Sequence, residues 1–227
     1  MSPRREPVSR RERPAKPALS RDGVVGLAFR IMREEGLERV TMRRLASELD
    51  TGPASLYVYV RNTAELHGAL LDELLAELFV ESETLGAPAD WRDRLIDLLS
   101  RFAELLFGYP SLARSLLVLM PHGPRYLRLV DTVLGLLLEG GASPRAAAWG
   151  VDVLVAHAVA TAAEHGTRDE SVTGADEFDT LATVAASASA SDYPHLDRVR
   201  DELFSGTGGE RMRWSFEVLL RGIESAP

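Results

Sequence analysis

The sequence predicts an all-α protein in which three short helices near the N-terminus are followed by a larger helical region. Apolar residues recur at helical spacing in one segment after another, and no segment of useful length alternates as a strand does. Proline stands at the start of several of these segments and glycine at the end, as is typical of α-helices. The sequence contains no internal repeat.

Composition narrows the class of protein. The 227 residues can form one large or two small domains with a proper core. The chain has no cysteine, which excludes disulfides and thiolate chemistry. No stretch approaches the roughly eighteen uninterrupted apolar residues of a membrane helix, and the N-terminus lacks the apolar core of a signal peptide. We therefore expect a soluble cytoplasmic protein.

Charge is segregated along the chain. Residues 1–62 hold 13 basic and 8 acidic residues, whereas the remainder holds 13 basic and 26 acidic residues. The overall charge of −8 therefore hides a basic N-terminal region on an acidic body. This asymmetry favours an N-terminal region that contacts nucleic-acid phosphates, although many proteins have a basic tail without such a role.

Residues 1–18 combine six basic residues with four prolines and show no helical or strand periodicity. This composition predicts a disordered basic arm. Two interpretations remain open at this stage. The arm is either a solvated leader or an extension that lies on phosphate or in the minor groove of DNA.

Residues 40–62 predict two short helices joined by a tight turn. Thr41 can cap the first helix, and the second begins at Pro53, whose missing N–H needs no partner at that position. The apolar residues of the inner faces are Leu45, Ala46, Leu49, Leu56 and Val60. In a helix-turn-helix, the second helix of such a pair enters the major groove, but a short helix pair is also ordinary packing in many helical domains.

The segment from about Leu19 to Leu78 resembles the DNA-binding domain of the tetracycline-repressor (TetR) family of bacterial transcription regulators. The residues that carry the resemblance are Ala28, Gly36, Leu37, Thr41, Arg43, Arg44, Leu45, Ala46 and the run 56–62. The resemblance implies an N-terminal three-helix helix-turn-helix DNA-binding domain over 19–64 and a C-terminal helical ligand-binding and dimerisation domain over 65–227. A helix over 62–83 connects the two and can act as a lever.

The DNA-binding prediction rests on side-chain chemistry. Arginine can bond bidentately to guanine, hydroxyl groups can donate to phosphates, and tyrosine can bond phosphate or contact a thymine methyl group. The predicted DNA-binding residues are Thr41, Arg43, Arg44, Pro53, Ala54, Ser55, Tyr57, Tyr59 and Arg61. Two residues depart from the family pattern: Thr63 replaces a frequent lysine, and Asp50 replaces a frequent glycine in the turn.

The remaining helices follow from apolar periodicity and from caps. Ser20 can cap a first helix that ends at Gly36, and Asn62 with Glu65 resembles a capping box at the start of the connecting helix. In the body, helices are predicted over 91–108, 110–120, 124–140, 144–166, 176–190, 194–204 and 209–224, with a polar loop over 167–175.

Two helices of the body carry more apolar surface than a single bundle obviously needs. The residues concerned are Ala147, Val151, Leu154 and Ala158 on one helix, with Met212, Phe216, Leu219, Leu220 and Ile223 on the other. The family resemblance implies a homodimer in which these helices form a four-helix bundle. The alternative is that they pack only within the chain.

The resemblance also implies a pocket for a small-molecule effector. The candidate ligand-binding residues are Phe102, Leu106, Met120, His122, Trp149, Val153 and His157, although aromatic residues and methionine at helical spacing are often plain core. The histidines show no metal-ligand spacing, so no metal and no cofactor are predicted.

No enzyme motif is present. The chain lacks the glycine-rich nucleotide motifs, the Gly-x-Ser-x-Gly nucleophile motif and a cysteine nucleophile. We therefore predict no catalytic residues and expect a ligand-responsive repressor that binds a palindromic DNA operator as a homodimer. The alternative is an all-helical small-molecule carrier or partner-binding module with no DNA role.

Overall fold

The computed structural model describes residues 19–84, 90–170 and 174–225, and the predicted arm over 1–18 lies outside these ranges. The N-terminal region contains α1 (Arg21–Glu35), a 3-10 turn (Leu37–Arg39), α2 (Met42–Glu48), α3 (Pro53–Leu56) and α4 (Thr63–Thr84). The body contains α5 (Trp91–Phe107), α6 (Pro110–Leu116), α7 (Pro124–Glu139), α8 (Pro144–Glu170), α9 (Gly174–Ser187), α10 (Pro194–Arg198), α11 (Arg200–Leu203) and α12 (Gly208–Glu224). The described residues contain no strand, which confirms the all-α prediction.

Four predicted helices or loops have other bounds in the structure, among them the helix predicted over 176–190, which spans Gly174–Ser187. The helix predicted over 110–120 ends at Leu116, and the segment 117–123 follows as a non-helical connection. Pro121 within it disfavours helical backbone at Met120. The loop predicted to begin at 167 is helical as far as Glu170. The helix predicted over 194–204 is two short helices that meet at Val199.

The predicted helix caps are present. Ser20 Oγ accepts a hydrogen bond from Gly23 N at 3.1 Å, and Thr41 Oγ1 accepts one from Arg44 N at 3.2 Å. Each of these bonds satisfies a backbone N–H that has no partner within its own helix. The starts of α1 and α2 are therefore each fixed by a cap between residues three positions apart in the sequence.

One hydrophobic core runs from the N-terminal helices into the body. α4 joins the two regions, since it packs against α1 on one side and against α5, α6 and α7 on the other. Leu70, Leu74 and Leu75 on α4 are fully buried. A movement of α4 therefore displaces side chains in both regions at once.

α8 is the central helix of the body and packs against α5, α6, α7 and α12. By length and composition alone, its residues 144–166 are apolar enough to cross a membrane, and within the described ranges no other helix meets that test. Core helices of soluble proteins meet the same test. Leu154, Ala158 and Ala162 are fully buried against the neighbouring helices, so the position of α8 in the core accounts for its composition.

Candidate nucleic-acid interface and cavity

Buried residues fix the turn between α2 and α3. Leu45, Leu56 and Val60 are fully buried beneath it. Asp50 adopts the left-handed conformation with φ 47°, which aspartate tolerates better than most residues, and Thr51 N donates a hydrogen bond to Ala46 O at 2.9 Å. The turn therefore holds α3 in one orientation, although aspartate replaces the glycine that is frequent there.

The outer side of α3 faces solvent. Residues 53–55 are exposed, and the side chain of Tyr57 is 50% exposed. Val58 is 80% exposed and is missing from the predicted DNA-binding residues, because its outward position follows from the turn after α3 and has no local sequence signal. Tyr59 is only half-buried and packs against the core, so part of its ring belongs to the scaffold.

Arg44 forms an ion pair within the subunit. Its two terminal nitrogens donate to the two carboxylate oxygens of Glu35 at 2.7 Å each, and one also approaches Glu48 at 3.5 Å. The bonds from Arg44 lower the pKa of Glu35. The planar fork of Arg44 is thus occupied by Glu35 in this structure, and Arg44 as a DNA contact stays a prediction. The neighbouring Arg43 is exposed and makes no ion pair within the described residues.

Arg61 lies at the junction of α3 and α4. Its backbone N–H and its Nε both donate to Glu65 Oε2 at 3.0 Å, and these bonds lower the pKa of Glu65. Asn62 Oδ1 accepts a hydrogen bond from Glu65 N at 2.8 Å, as the capping prediction requires, although the carboxylate of Glu65 bonds Arg61 N rather than Asn62 N. The Arg61 side chain stays 79% exposed, so this arginine both anchors the start of α4 and faces solvent.

A cavity of about 410 Å³ lies in the body between α4, α5, α7, α8 and the segment 117–123. Its lining is mostly apolar and consists of Leu71, Phe102, Leu116, Leu117, Val118, Leu119, Met120, Pro121, Tyr126, Val130, Val151, Asp152, Val155, Ala156 and Val159. The volume falls in the range of small-molecule sites, roughly 300–1,000 Å³.

Two of the predicted ligand-binding residues, Phe102 and Met120, line this cavity. The other five lie elsewhere. Leu106 is buried in the core without reaching the cavity, and His122 is exposed near the start of α7. Trp149 and Val153 are exposed on the outer face of α8, and His157 hydrogen-bonds Ser215 of α12 at 2.7 Å. The α8 residues that line this cavity are therefore others than the predicted ones, and the ligand-binding residues stay a prediction.

Hydrogen bonds tie α4 to both ends of the segment 117–123. Asp72 Oδ1 on α4 accepts hydrogen bonds from Arg125 N at 2.8 Å and Tyr126 N at 3.0 Å, which cap the start of α7. His67 Nδ1 on α4 lies 2.5 Å from Ser115 Oγ on α6. The segment that lines the cavity is therefore held at each end by α4, the helix that follows α3 in the chain.

The cap by Asp72 requires glycine beside it. A Cβ atom on Gly123 would lie 2.1 Å from Asp72 Oδ1, which is far inside van der Waals contact. Asp72 is only 7% exposed, and among the residues that the structure describes no other charged residue is buried. The guanidinium of Arg125 compensates part of this charge, since its Nη1 lies 3.5 Å from Asp72 Oδ2 and also donates to Glu73 at 3.2 Å.

The predicted dimer residues mostly face inward. Ala147, Leu154, Ala158, Met212, Phe216 and Leu220 are buried within the subunit, Leu219 and Ile223 are half-buried against its core, and Val151 lines the cavity. The surface of the buried members is already used within the subunit, and their part in an intersubunit contact stays a prediction. The opposite faces of the same helices expose large apolar side chains, namely Trp149, Val153, Trp214 and Val218.

Among the described residues, no group of three or more histidines, aspartates or glutamates could hold a metal ion. His122 and His157 lie on different parts of the fold, the first beside the start of α7 and the second against α12. Burial lowers the pKa of His157, whose ring also packs edge-on against Phe216 at 5.3 Å. His157 is therefore a packing residue between α8 and α12.

Comparison with protein families identifies both regions. Residues 25–70 match the sequence model for bacterial regulatory proteins of the tetR family, and residues 85–226 match that for the tetracycline repressor-like C-terminal domain. The chain belongs to the TetR family. Members of this family are DNA-binding transcriptional repressors rather than enzymes; they bind small molecules and act as dimers. The predicted division of the chain at residue 64 stays a prediction, because the two matches leave residues 71–84 between them.

Solved structures share the whole TetR architecture. A proposed transcription regulator from Streptomyces is 48% identical, with a TM-score of 0.77 over 93% of this chain and 98% of that one. The apo form of ActR from Streptomyces coelicolor is 30% identical, with a TM-score of 0.76 over 91% of this chain and 97% of that one. ActR has also been crystallised in complex with actinorhodin.

Characterised relatives point to the same class. The tetracycline repressor protein class D from Escherichia coli is 27% identical over 210 residues, which cover 91% of this chain and 89% of that protein. The transcriptional repressor DrrR1 from Streptomyces coeruleorubidus is 48% identical over 65 residues, but these cover only 29% of this chain and 24% of that protein. The chain is therefore a ligand-responsive DNA-binding regulator.

Proposed function

We propose that this chain is a cytoplasmic transcriptional repressor that binds a palindromic operator as a homodimer and leaves it when a small apolar or amphipathic effector binds. The observation that carries the proposal is the arrangement around α4. The first half of α4 follows α3 directly, where Glu65 accepts hydrogen bonds from Arg61 and donates its backbone N–H to Asn62, and it packs against α1. The same half is hydrogen-bonded through His67 and Asp72 to the residues on both sides of the segment that lines the cavity.

On DNA, the exposed side chains of α2 and α3 divide the contacts between base edges and phosphates. Arg43 can reach guanine, and Val58 can contact a thymine methyl group. Ser55 and Tyr57 can donate hydroxyl hydrogens to phosphate oxygens, and Thr41 can do so while it caps α2. Pro53 and Ala54 bring the backbone at the tip close to the DNA. Arg44 acts indirectly, because its bonds to Glu35 hold α2 against the end of α1.

For the homodimer, the exposed apolar faces of α8 and α12 supply the contact. Trp149 is 68% exposed and Trp214 is 65% exposed, and Val153 and Val218 lie one turn along on the same faces. Large aromatic side chains of this kind dominate protein interfaces. A two-fold dimer places two α3 tips on one duplex, with half-sites about 34–36 Å apart.

Release follows from differential binding. An effector that prefers a different arrangement of the segment 117–123 displaces the hydrogen-bonded ends of α6 and α7, and Asp72 and His67 transmit that displacement to α4. The spacing of the two α3 tips then departs from that of the operator. By linkage, DNA must lower the affinity for the effector by the same factor by which the effector lowers the affinity for DNA. The corresponding coupling free energy is ordinarily about 1–3 kcal/mol.

Selection of bound sequences from a random duplex library tests this proposal. The library is screened at two salt concentrations, because phosphate attraction is lost at high salt whereas base-specific binding survives longer. We expect a palindrome for the wild-type protein and none for Arg43→Ala. The matched control is Arg198→Ala, which removes an exposed arginine of α10, far along the chain from α3. Recovery of only salt-sensitive, sequence-independent binding would favour a carrier or partner-binding module instead.

A further inference from the structure

The cavity contains one charged group. Of its lining residues, Asp152 alone carries a charge, and the hydroxyl of Tyr126 is the other polar side-chain group. The rest of the lining is leucine, valine, phenylalanine, methionine, alanine and proline. A small molecule in this cavity therefore meets an apolar surface with a single negative charge on one wall.

Asp152 is exposed to solvent and has no hydrogen bond or ion pair within the part of the chain that the structure describes. The arginines nearest to Tyr126 along α7 are both engaged elsewhere. Arg125 bonds Asp72 and Glu73, and Arg128 lies over the ring of Phe79 at 4.3 Å from its centroid. Arg145, on the same helix as Asp152, lies over the ring of Trp149 at 5.4 Å. The charge of Asp152 is thus available to a ligand.

Tyr126 supports a cation at the same wall. Burial raises the pKa of Tyr126, and the negative charge of Asp152 raises it further, so the phenol stays neutral at physiological pH. A neutral phenol can accept a hydrogen bond from an ammonium group while its ring presents a π-face. Asp152 on α8 and Tyr126 on α7 therefore offer a carboxylate, a hydroxyl and a ring to one ligand group.

We propose that this cavity selects amphipathic amines, with an apolar body among Phe102, Leu71 and Val155 and a protonated amino group between Asp152 and Tyr126. This inference rests on the proposed function, because it names the chemical class of the effector. An anionic ligand of the same shape would face the uncompensated carboxylate. A neutral ligand would gain the apolar contacts alone.

Three naphthalene probes with the same ring system test the proposal: 2-(2-naphthyl)ethylamine as the cation, 2-ethylnaphthalene as the neutral probe and 2-naphthylacetate as the anion. Their binding to the full chain is measured by fluorescence titration without DNA. We expect the cation to bind about threefold more tightly than the neutral probe, because solvent partly screens an ion pair with the exposed Asp152. We expect the anion to bind most weakly.

Variants assign the preference to the two residues. Asp152→Asn should remove the advantage of the cation and leave the neutral probe unaffected, and Tyr126→Phe should remove part of it. Asp131→Asn, which neutralises an exposed aspartate of α7 outside the cavity, should change nothing. Equal affinity for the three probes, a preference for the anion, or no binding by any of them would overturn the proposal. None of these results would contradict the proposed DNA binding, because affinity for the selected duplex is measured separately.

Discussion

Removal of the cap that Asp72 gives to α7 tests the connection between α4 and the cavity wall. Asp72→Ala leaves the backbone N–H groups of Arg125 and Tyr126 without their acceptor, now 2.8 and 3.0 Å away. Loss of an N-cap costs about 0.5–2 kcal/mol. The same two N–H groups, treated as unsatisfied and partly buried donors, give about 1–3 kcal/mol, so the two ranges estimate one loss. Because water can replace part of the loss, we expect a net loss of about 2–3 kcal/mol.

The assay is thermal unfolding followed by circular dichroism at a fixed protein concentration, since a dimer's apparent stability depends on concentration. A loss of 2–3 kcal/mol corresponds to a melting temperature lower by about 5–10 °C in a chain of this length. Asp72→Asn keeps an oxygen acceptor and should recover much of the loss. Gly123→Ala should resemble Asp72→Ala, because its Cβ would displace the carboxylate.

Asp131→Ala provides the control, because Asp131 is exposed on the same helix, α7, and lies outside the cavity. A melting temperature for Asp72→Ala within 1 °C, or about 0.5 kcal/mol, of the wild-type value would refute the reasoning. So would an equal loss in Asp131→Ala. The first result would mean that α4 and α7 are held together by the apolar core alone, and the second that the loss does not come from the cap.

Three further predictions concern the other surfaces. Tyr57→Ala should weaken binding to the selected duplex at least tenfold, in fluorescence anisotropy, without loss of helicity. Val218→Glu should give folded monomers in sedimentation velocity, whereas Phe216→Glu should unfold the subunit, because Phe216 is fully buried. Burial lowers the pKa of His67 below 6.5, so the unfolded chain takes up this proton first. Stability should fall as pH drops below 6.5, and His67→Gln should flatten that fall in urea titrations.

Each of these has an outcome that contradicts it. Wild-type DNA affinity in Tyr57→Ala would remove α3 from the interface. A persisting dimer in Val218→Glu would place the subunit contact elsewhere. An unchanged pH profile in His67→Gln would mean that His157, whose pKa burial also lowers, accounts for the whole fall. His195→Gln, on the exposed side of α10, is the matched control for the histidine variant.

Features with local causes were predictable from the sequence. Caps such as Ser20 and Thr41 join residues three apart, and helix starts at proline depend on one missing N–H. Such patterns place helices along the chain, but they do not say which neighbour a helix face meets.

The faces of α8 and α12 show why the rest was not predictable. Both sides of α8 are apolar, so the pattern is the same whether Leu154 or Val153 faces the core. The structure assigns Leu154 to the subunit interior and leaves Val153 exposed. A sequence with two apolar stripes predicts two contacts without saying which of them is internal.

The roles of the charged residues depend even more on tertiary contacts, which the sequence pattern does not show. Arg44 resembles a DNA contact by position, yet its partner Glu35 lies across the turn that separates α1 from α2. Asp152 and Tyr126 lie on different helices, and only the packing of α7 against α8 brings them to one cavity. Asp72 has no sequence signal as a cap, because it caps a helix that begins 52 residues later, at Pro124.

The claim that a homodimer binds two half-sites on one duplex is tested most directly by a hydroxyl-radical footprint on the selected duplex. The stoichiometry of the complex is measured alongside by sedimentation equilibrium. Two α3 tips on one duplex predict two chains per duplex and two protected segments about 34–36 Å apart on one face of the DNA. One chain per duplex, or a single protected segment, would contradict the account.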